Sequence, residues 1–193
     1  MKLNIGGEIR EFEDGMNALD IAGKLGGDLK KTALAARLDG ELIELAAPIH
    51  GDHALSFVDF SDDDGKRVLR HTASHVLAQA VLHLCPQAKL AIGPAIDTGF
   101  YYDFDVEEPF TPEFLTAVEK EMGKIIKKNE RLERFELPRA EALELMKDQP
   151  YKVELINDLP DEETLSFYRQ GDFTDLCAGP HLPSTGTVKA FKL

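Results

Sequence analysis

Apolar and polar residues alternate from the start of this chain. Leu3 and Ile5 share one face of a strand, Gly6-Gly7 offers a tight turn, and Ile9 and Phe12 fall in a second strand. The period then lengthens. Ala18, Leu19, Ile21, Ala22 and Leu25 predict a short helix that Asn17 can cap and Gly26-Gly27 can end. Residues 33–38 and 41–45 flank Asp39-Gly40, a hairpin signature, and residues 54–60 read as a last strand.

Strand, strand, helix, then strands is the element order of a ubiquitin-like β-grasp. The charged run Ser61-Asp-Asp-Asp-Gly65 ends it, which divides the chain into domains 1–61 and 62–193. The same run supplies a cap and negative charge for a helix over 66–84. Val68, Leu69, Val76, Leu77, Ala80 and Leu84 form its apolar stripe, and Pro86 stops it. Residues 89–98 lead into Gly99-Phe-Tyr-Tyr-Asp-Phe-Asp105, whose alternation suggests a strand with one polar face. Residues 112–129 and 138–148 predict helices. Residues 151–156 read as a strand with Lys152 and Glu154 on one face and Val153 and Leu155 on the other. The second block is therefore expected to be α+β, with a central sheet and a helix carrying His-x-x-x-His.

Composition narrows the picture. The chain has 193 residues, 43% of them hydrophobic, and a net charge of −13. No apolar run approaches the ~20 residues that span a bilayer, and no signal peptide is visible at the start. Neither a membrane partner nor secretion is expected. Two cysteines give no disulfide framework and fit a reducing cytoplasm. Net acidity argues against non-specific nucleic-acid binding but not against a local basic face. Lys120, Lys124, Lys127, Lys128, Arg131 and Arg134 could form one within a helix, although interspersed glutamates favour an ordinary solvated face.

The chemistry concentrates in two distant places. His71 and His75 are four apart, so a helix points both imidazoles into one space. Cys177 and His181 are also four apart, in Phe173-Thr-Asp-Leu-Cys-Ala-Gly-Pro-His181, where Gly and Pro favour an irregular loop. His, His, Cys and His are an acceptable zinc shell, and three such ligands plus water would make a hydrolytic centre. A metal-free reading is equally open: a histidine orients water, Lys152 and Asp175 position a charged substrate, and Cys177 lines the site. Covalent catalysis by Cys177 ranks below both. His50 and His53 read as solvated loop residues, His83 as a surface residue at a helix end, and Cys85 as a small apolar filler.

His71-Thr-Ala-Ser-His75, Ala91-Ile-Gly-Pro94, Gly99-Phe-Tyr-Tyr-Asp103, Tyr151-Lys-Val153 and Asp175-Leu-Cys-Ala-Gly-Pro-His181 resemble the amino-terminal part of bacterial threonyl-tRNA synthetases. The resemblance covers nearly the whole chain. It implies that residues 1–61 form a TGS domain, and that residues 62–193 form a domain that proofreads by hydrolysing mischarged seryl-tRNA. The partner implied is the aminoacylated 3′ end of a tRNA. The same four-residue pattern occurs in the editing domain of alanyl-tRNA synthetases, where it is associated with zinc; for the threonyl family the resemblance implies a metal-free site. A non-catalytic RNA-binding or regulatory TGS module is a further alternative.

Resemblance also implies what lies elsewhere. ATP with magnesium, a zinc ion that reads threonine, and homodimer contacts are expected of an aminoacylation core for which this chain has no room. The chain is therefore expected to be a piece of a longer cytoplasmic ligase, with a natural stand-alone editor as the weaker alternative. The implied roles are as follows. His71 orients or deprotonates the water, and Lys152 stabilises developing charge or protonates the leaving oxygen. His75 and His181 position substrate and water, Asp175 pairs with the seryl ammonium, and Tyr102 and Cys177 shape the pocket.

Overall fold

The computed structural model describes residues 1–193, which fall into two compact units. One comprises Met1–Leu69 with Pro180–Pro183, the other Arg70–Gly179 with Ser184–Leu193.

In the first unit, β1 (Lys2–Ile5) and β2 (Glu8–Glu11) form an antiparallel hairpin. Helix α1 (Ala18–Leu25) starts where Asn17 Oδ1 accepts the Asp20 N–H at 2.8 Å. It stops at Gly26, whose φ of 84° few other residues adopt readily. A one-turn helix α2 (Leu29–Thr32), absent from the sequence expectation, precedes β3 (Ala35–Leu38) and β4 (Glu41–Ile43). Asp39 and Gly40, at φ 51° and 92°, make the primed turn that the Asp-Gly pair predicts. Strand β5 (His53–Val58) completes a sheet of order β2-β1-β5-β3-β4, with β1 and β5 parallel. Leu3, Ile21, Leu45, Ile49 and Leu55 form its core.

Helix α3 (Asp63–Leu84) carries the change of unit after Leu69. The second unit continues through short strands β6 (Lys89–Leu90), β7 (Ala95–Ile96), β8 (Gly99–Phe100) and β9 (Phe104–Asp105). The single strand expected over 99–105 is thus two pieces in two small ladders, β7-β8 and β6-β9, with Tyr101 to Asp103 between them. Helix α4 (Pro112–Lys128) begins at the Thr111 cap with proline in its first turn and ends at left-handed Asn129. Arg131 and Arg134 therefore lie outside this helix, Arg134 within strand β10 (Leu132–Leu137). Lys124 and Lys128 lie 2.7 and 3.8 Å from Glu121 and Glu130, as on an ordinary solvated face.

Helix α5 (Arg139–Leu145) is followed by α6 (Pro150–Asp158). The strand expected over 151–156 is wrong: these residues are helical. Pro150 opens the helix at a position that needs no N–H, and Lys152 and Ile156, four apart, share its buried face. Strands β11 (Leu165–Gln170) and β12 (Phe173–Leu176) complete the antiparallel sheet β10-β11-β12. One apolar cluster gathers Val76, Val81, Leu90, Met122 and Ile125; another gathers Ala142, Ile156 and Phe167. The chain is α+β, and no helix is long and apolar enough to cross a membrane.

Candidate active site

Strand β12 alternates buried and half-buried positions, so Asp175 points inward with Phe173. Its carboxylate is 2% exposed and meets three groups. Lys152 Nζ, from α6, lies 2.8 Å from Oδ1. The Tyr102 hydroxyl donates to Oδ2 at 2.5 Å, and His75 Nε2, from α3, lies 3.9 Å from the same oxygen. The Lys152 ammonium also stands 5.4 Å from the Tyr102 ring centroid, within cation–π range. Lys152, His75 and Tyr102 are all buried.

Burial dictates the ionisation of this group. It pushes the Asp175 carboxyl above its ordinary value, against the opposing pull of Lys152 and the Tyr102 hydroxyl. Burial above all, and then the neighbouring His71 and Lys152, hold the His75 imidazole well below its ordinary value, so it stays neutral. Burial and the adjacent Asp175 carboxylate raise the Tyr102 phenol, which therefore remains a donor.

A second group adjoins the first through His75. The His71 and His75 rings meet edge to face, with centroids 5.3 Å apart, one helical turn apart on α3. His71 Nε2 lies 3.3 Å from Cys177 Sγ, which also accepts the Gly179 N–H at 3.3 Å. Gly179 takes φ 75°, the turn that brings its amide back to the sulfur. Ser166 Oγ on β11 donates to the Cys177 carbonyl at 2.7 Å and fixes the loop's start. His71 and Cys177 are half-buried, so this edge is the more accessible one.

The sequence-predicted residues His71, His75, Tyr102, Lys152, Asp175 and Cys177 thus come together in the second unit. His181 is buried, four residues beyond Cys177, in the stretch Pro180–Pro183 that clusters with the first unit, where its N–H donates to Glu44 at 3.2 Å. Ser74 and Ser166 were missed. Ser74 is completely buried and hydrogen-bonds the carbonyls of His71 and Gly93. Its only sequence signal was a polar residue on the apolar side of α3.

The donor set fits zinc: the ligand atoms of His71, His75 and Cys177 lie within 4.8 Å of one another. The 3.3 Å sulfur–nitrogen separation is that of a direct hydrogen bond, and shorter than the ~3.6 Å between a thiolate and an imidazole nitrogen on one tetrahedral zinc.

The other histidines lie apart from this group. His83 is not a plain surface residue: Nδ1 faces Glu121 at 2.9 Å and Nε2 faces Asp172 at 3.0 Å. Two carboxylates on two ring nitrogens require both to be protonated, and although burial opposes it, they raise the imidazole's affinity for a proton. His50 and His53 pair with Asp14 and Asp39 on the first unit's surface. Cys85 packs against the α3 core as a filler.

Residues 165–193 match the model of the threonyl and alanyl tRNA synthetase second additional domain. That span contains Asp175, Cys177 and His181. The chain is 60% identical over 189 residues to a threonine–tRNA ligase of Clostridium botulinum strain Hall, covering 97% of this chain and 30% of that protein. It is 58% identical over 189 residues to the threonine–tRNA ligase of Clostridium tetani, with the same coverage. The chain thus spans about a third of the length of the curated relatives it matches. Over nearly its full extent it resembles the amino-terminal part of a threonine–tRNA ligase, and its last stretch resembles the second additional domain of the threonyl and alanyl enzymes.

Proposed function

We propose that this chain is the proofreading part of a cytoplasmic threonine–tRNA ligase, hydrolysing the ester of seryl-tRNA(Thr). The observation that carries this reading is the buried Lys152–Asp175–Tyr102 cluster beside His71 and Cys177. A buried ion pair is weak as a stabilising device, since burial of two charges largely offsets their attraction. Its presence next to two imidazoles and a thiol is what a reaction that moves charge requires.

Serine is threonine less one methyl. A site built for threonine discriminates against serine by only ~1–3 kcal/mol, a factor of about 10–200, so a second site must remove the error. The reaction adds water to the ester carbonyl, breaks the bond to the ribose oxygen, and leaves free serine and a ribose hydroxyl. His71, at the accessible edge, orients or deprotonates the water. Lys152 stabilises the oxyanion or protonates the departing ribose oxygen. Asp175 holds Lys152 and Tyr102 in register and pairs with the seryl ammonium through its remaining lone pairs. Neutral His75 orients, and Tyr102 and Cys177 shape the seryl pocket. His181, next on the loop after Cys177, is assigned to substrate positioning by its place in the motif.

The first unit is read as a β-grasp TGS domain from its sheet order and parallel β1–β5 pair, with domain limits 1–61 and 62–193. The aminoacylated tRNA end is the proposed partner, and homodimerisation belongs to the longer protein. In this reading the site needs no metal, because Lys152 supplies the positive charge. In the zinc alternative, His71, His75, Cys177 and His181 would hold the ion, which would acidify a bound water.

The deciding measurement is deacylation of seryl-tRNA(Thr) against threonyl-tRNA(Thr). The parent should hydrolyse the first and spare the second. His71→Ala should lower the rate by about 10²–10⁴. Parent-like hydrolysis by His71→Ala overturns the assignment, and loss of activity to a chelator with recovery on adding zinc selects the metal reading.

A further inference from the structure

Gly93 lies on the segment between β6 and β7, and it is not one of the glycines with positive φ. A positive φ therefore does not explain the glycine. Space does. A Cβ placed on Gly93 would fall 2.0 Å from Tyr102 Cδ2, 2.6 Å from Cε2 and 2.7 Å from Cγ. The Tyr102 ring lies against the bare backbone of Gly93.

That ring has little freedom to retreat. It is 7% exposed, stacks on Phe104 with centroids 5.0 Å apart, and carries the hydroxyl that donates to Asp175. The glycine cannot easily retreat either. Ser74 Oγ contacts the Gly93 carbonyl at 2.7 Å and the His71 carbonyl at 2.8 Å. A hydroxyl has one hydrogen, so Ser74 shares it between the two and joins the Gly93 backbone to the turn of α3 that carries His71. Just before Gly93, the Ala91 N–H donates to the Asp103 carbonyl at 3.0 Å, and the Asp103 N–H donates to the Ile92 carbonyl at 2.8 Å. The segment is therefore held to α3 on one side and to the residue after Tyr102 on the other.

From this packing we infer that Gly93 is a positioning residue for deacylation, seating the Tyr102 ring so that its hydroxyl reaches Asp175 and, through Asp175, fixes the Lys152 ammonium. The inference rests on the deacylase reading above and adds a residue that touches no reacting atom. A methyl at position 93 moves the ring by the better part of a bond length at least. A displacement of that size is enough to break a hydrogen bond of 2.5 Å. Mispositioning on this scale commonly lowers rates by about a hundredfold.

The test is a double-mutant cycle of Gly93→Ala and Tyr102→Ala in the full chain, read by seryl-tRNA(Thr) deacylation and by thermal melting. Gly93→Ala alone should lower kcat about 10- to 100-fold with KM changed by less than threefold, whereas a general loss of folded protein leaves the kcat of the folded fraction unchanged. In the Tyr102→Ala background, where the ring is gone, Gly93→Ala should cost less than a further twofold. Its effect on melting temperature should shrink likewise. Ser74→Ala should reproduce part of the kcat loss, and Ser74→Thr, which keeps the hydroxyl, should retain more activity than Ser74→Ala. Equal effects of Gly93→Ala in both backgrounds, or parent-like kcat in the single variant, overturn the inference. A parent that releases no serine overturns the deacylase reading instead. The melting cycle needs no substrate and separately decides whether Gly93 seats the ring.

Discussion

Ion pairs of similar length stand in opposite surroundings in the two units. On the first, His50 and His53 face Asp14 and Asp39 at 2.8 and 2.6 Å, and His50 and both aspartates are largely exposed. In the second, Lys152 and Asp175 pair at a similar distance, 2.8 Å, but with side chains 4% and 2% exposed. Equal separations conceal unequal physics. Water screens the first pairs, so each contributes little to stability. The buried pair has lost its hydration, and removal of either partner strands the other. Distance alone does not tell these pairs apart; burial does.

The sharpest way to break this comparison is to remove the buried cation. Lys152→Met should abolish measurable seryl-tRNA deacylation. Leaving buried Asp175 without its cation should also lower unfolding free energy by ~3–5 kcal/mol in urea titration. Adding Asp175→Leu should restore much of that stability and none of the activity. If Lys152→Met melts like the parent, the pair is not buried in solution.

Acid should separate the units next. His75 is held neutral by burial, so below pH 6.5 the unfolded chain takes up a proton that the folded chain refuses. Folded stability contributed by this group is present above that pH and lost as pH falls. His53 carries the opposite sign: its raised affinity for a proton favours the fold at low pH and fades as pH rises. The parent should therefore lose stability between pH 7.5 and 5.5 relative to His75→Gln, as read by urea midpoints. No such difference between the two proteins would refute the assignment of a neutral His75.

The smallest effect belongs to the exposed pairs. His50→Ala should change unfolding free energy by no more than ~0.5 kcal/mol and leave deacylation at the parent rate. A larger loss of activity would assign the first unit a part in catalysis.

Legibility from sequence followed the range of the interactions. The Asn17 cap and the Asp39-Gly40 turn are local, each decided within four residues, and both formed as predicted. Residues 151–156 were misread because a short run of mixed polarity fits period 2 and period 3.6 almost equally. The deciding signal was Pro150, a helix opener at the first position. The burial of Lys152 was not legible, because the carboxylate that makes it tolerable, Asp175, lies on a distant strand. The His71–His75 spacing revealed a shared face, but only the folded chain brings Cys177 within reach of it. Gly93 was legible as a letter of a motif, but its reason lies in a ring nine residues away.

A phenol whose hydrogen goes to a buried carboxylate at 2.5 Å resists ionisation, and this has a use. Reagents that nitrate or iodinate tyrosine attack the phenolate. They should modify Tyr101, which is 38% exposed, and pass over its neighbour Tyr102. Adjacent residues then form a built-in chemical gauge: label appearing on the second tyrosine reports that the interior around Asp175 has come apart, with no substrate added.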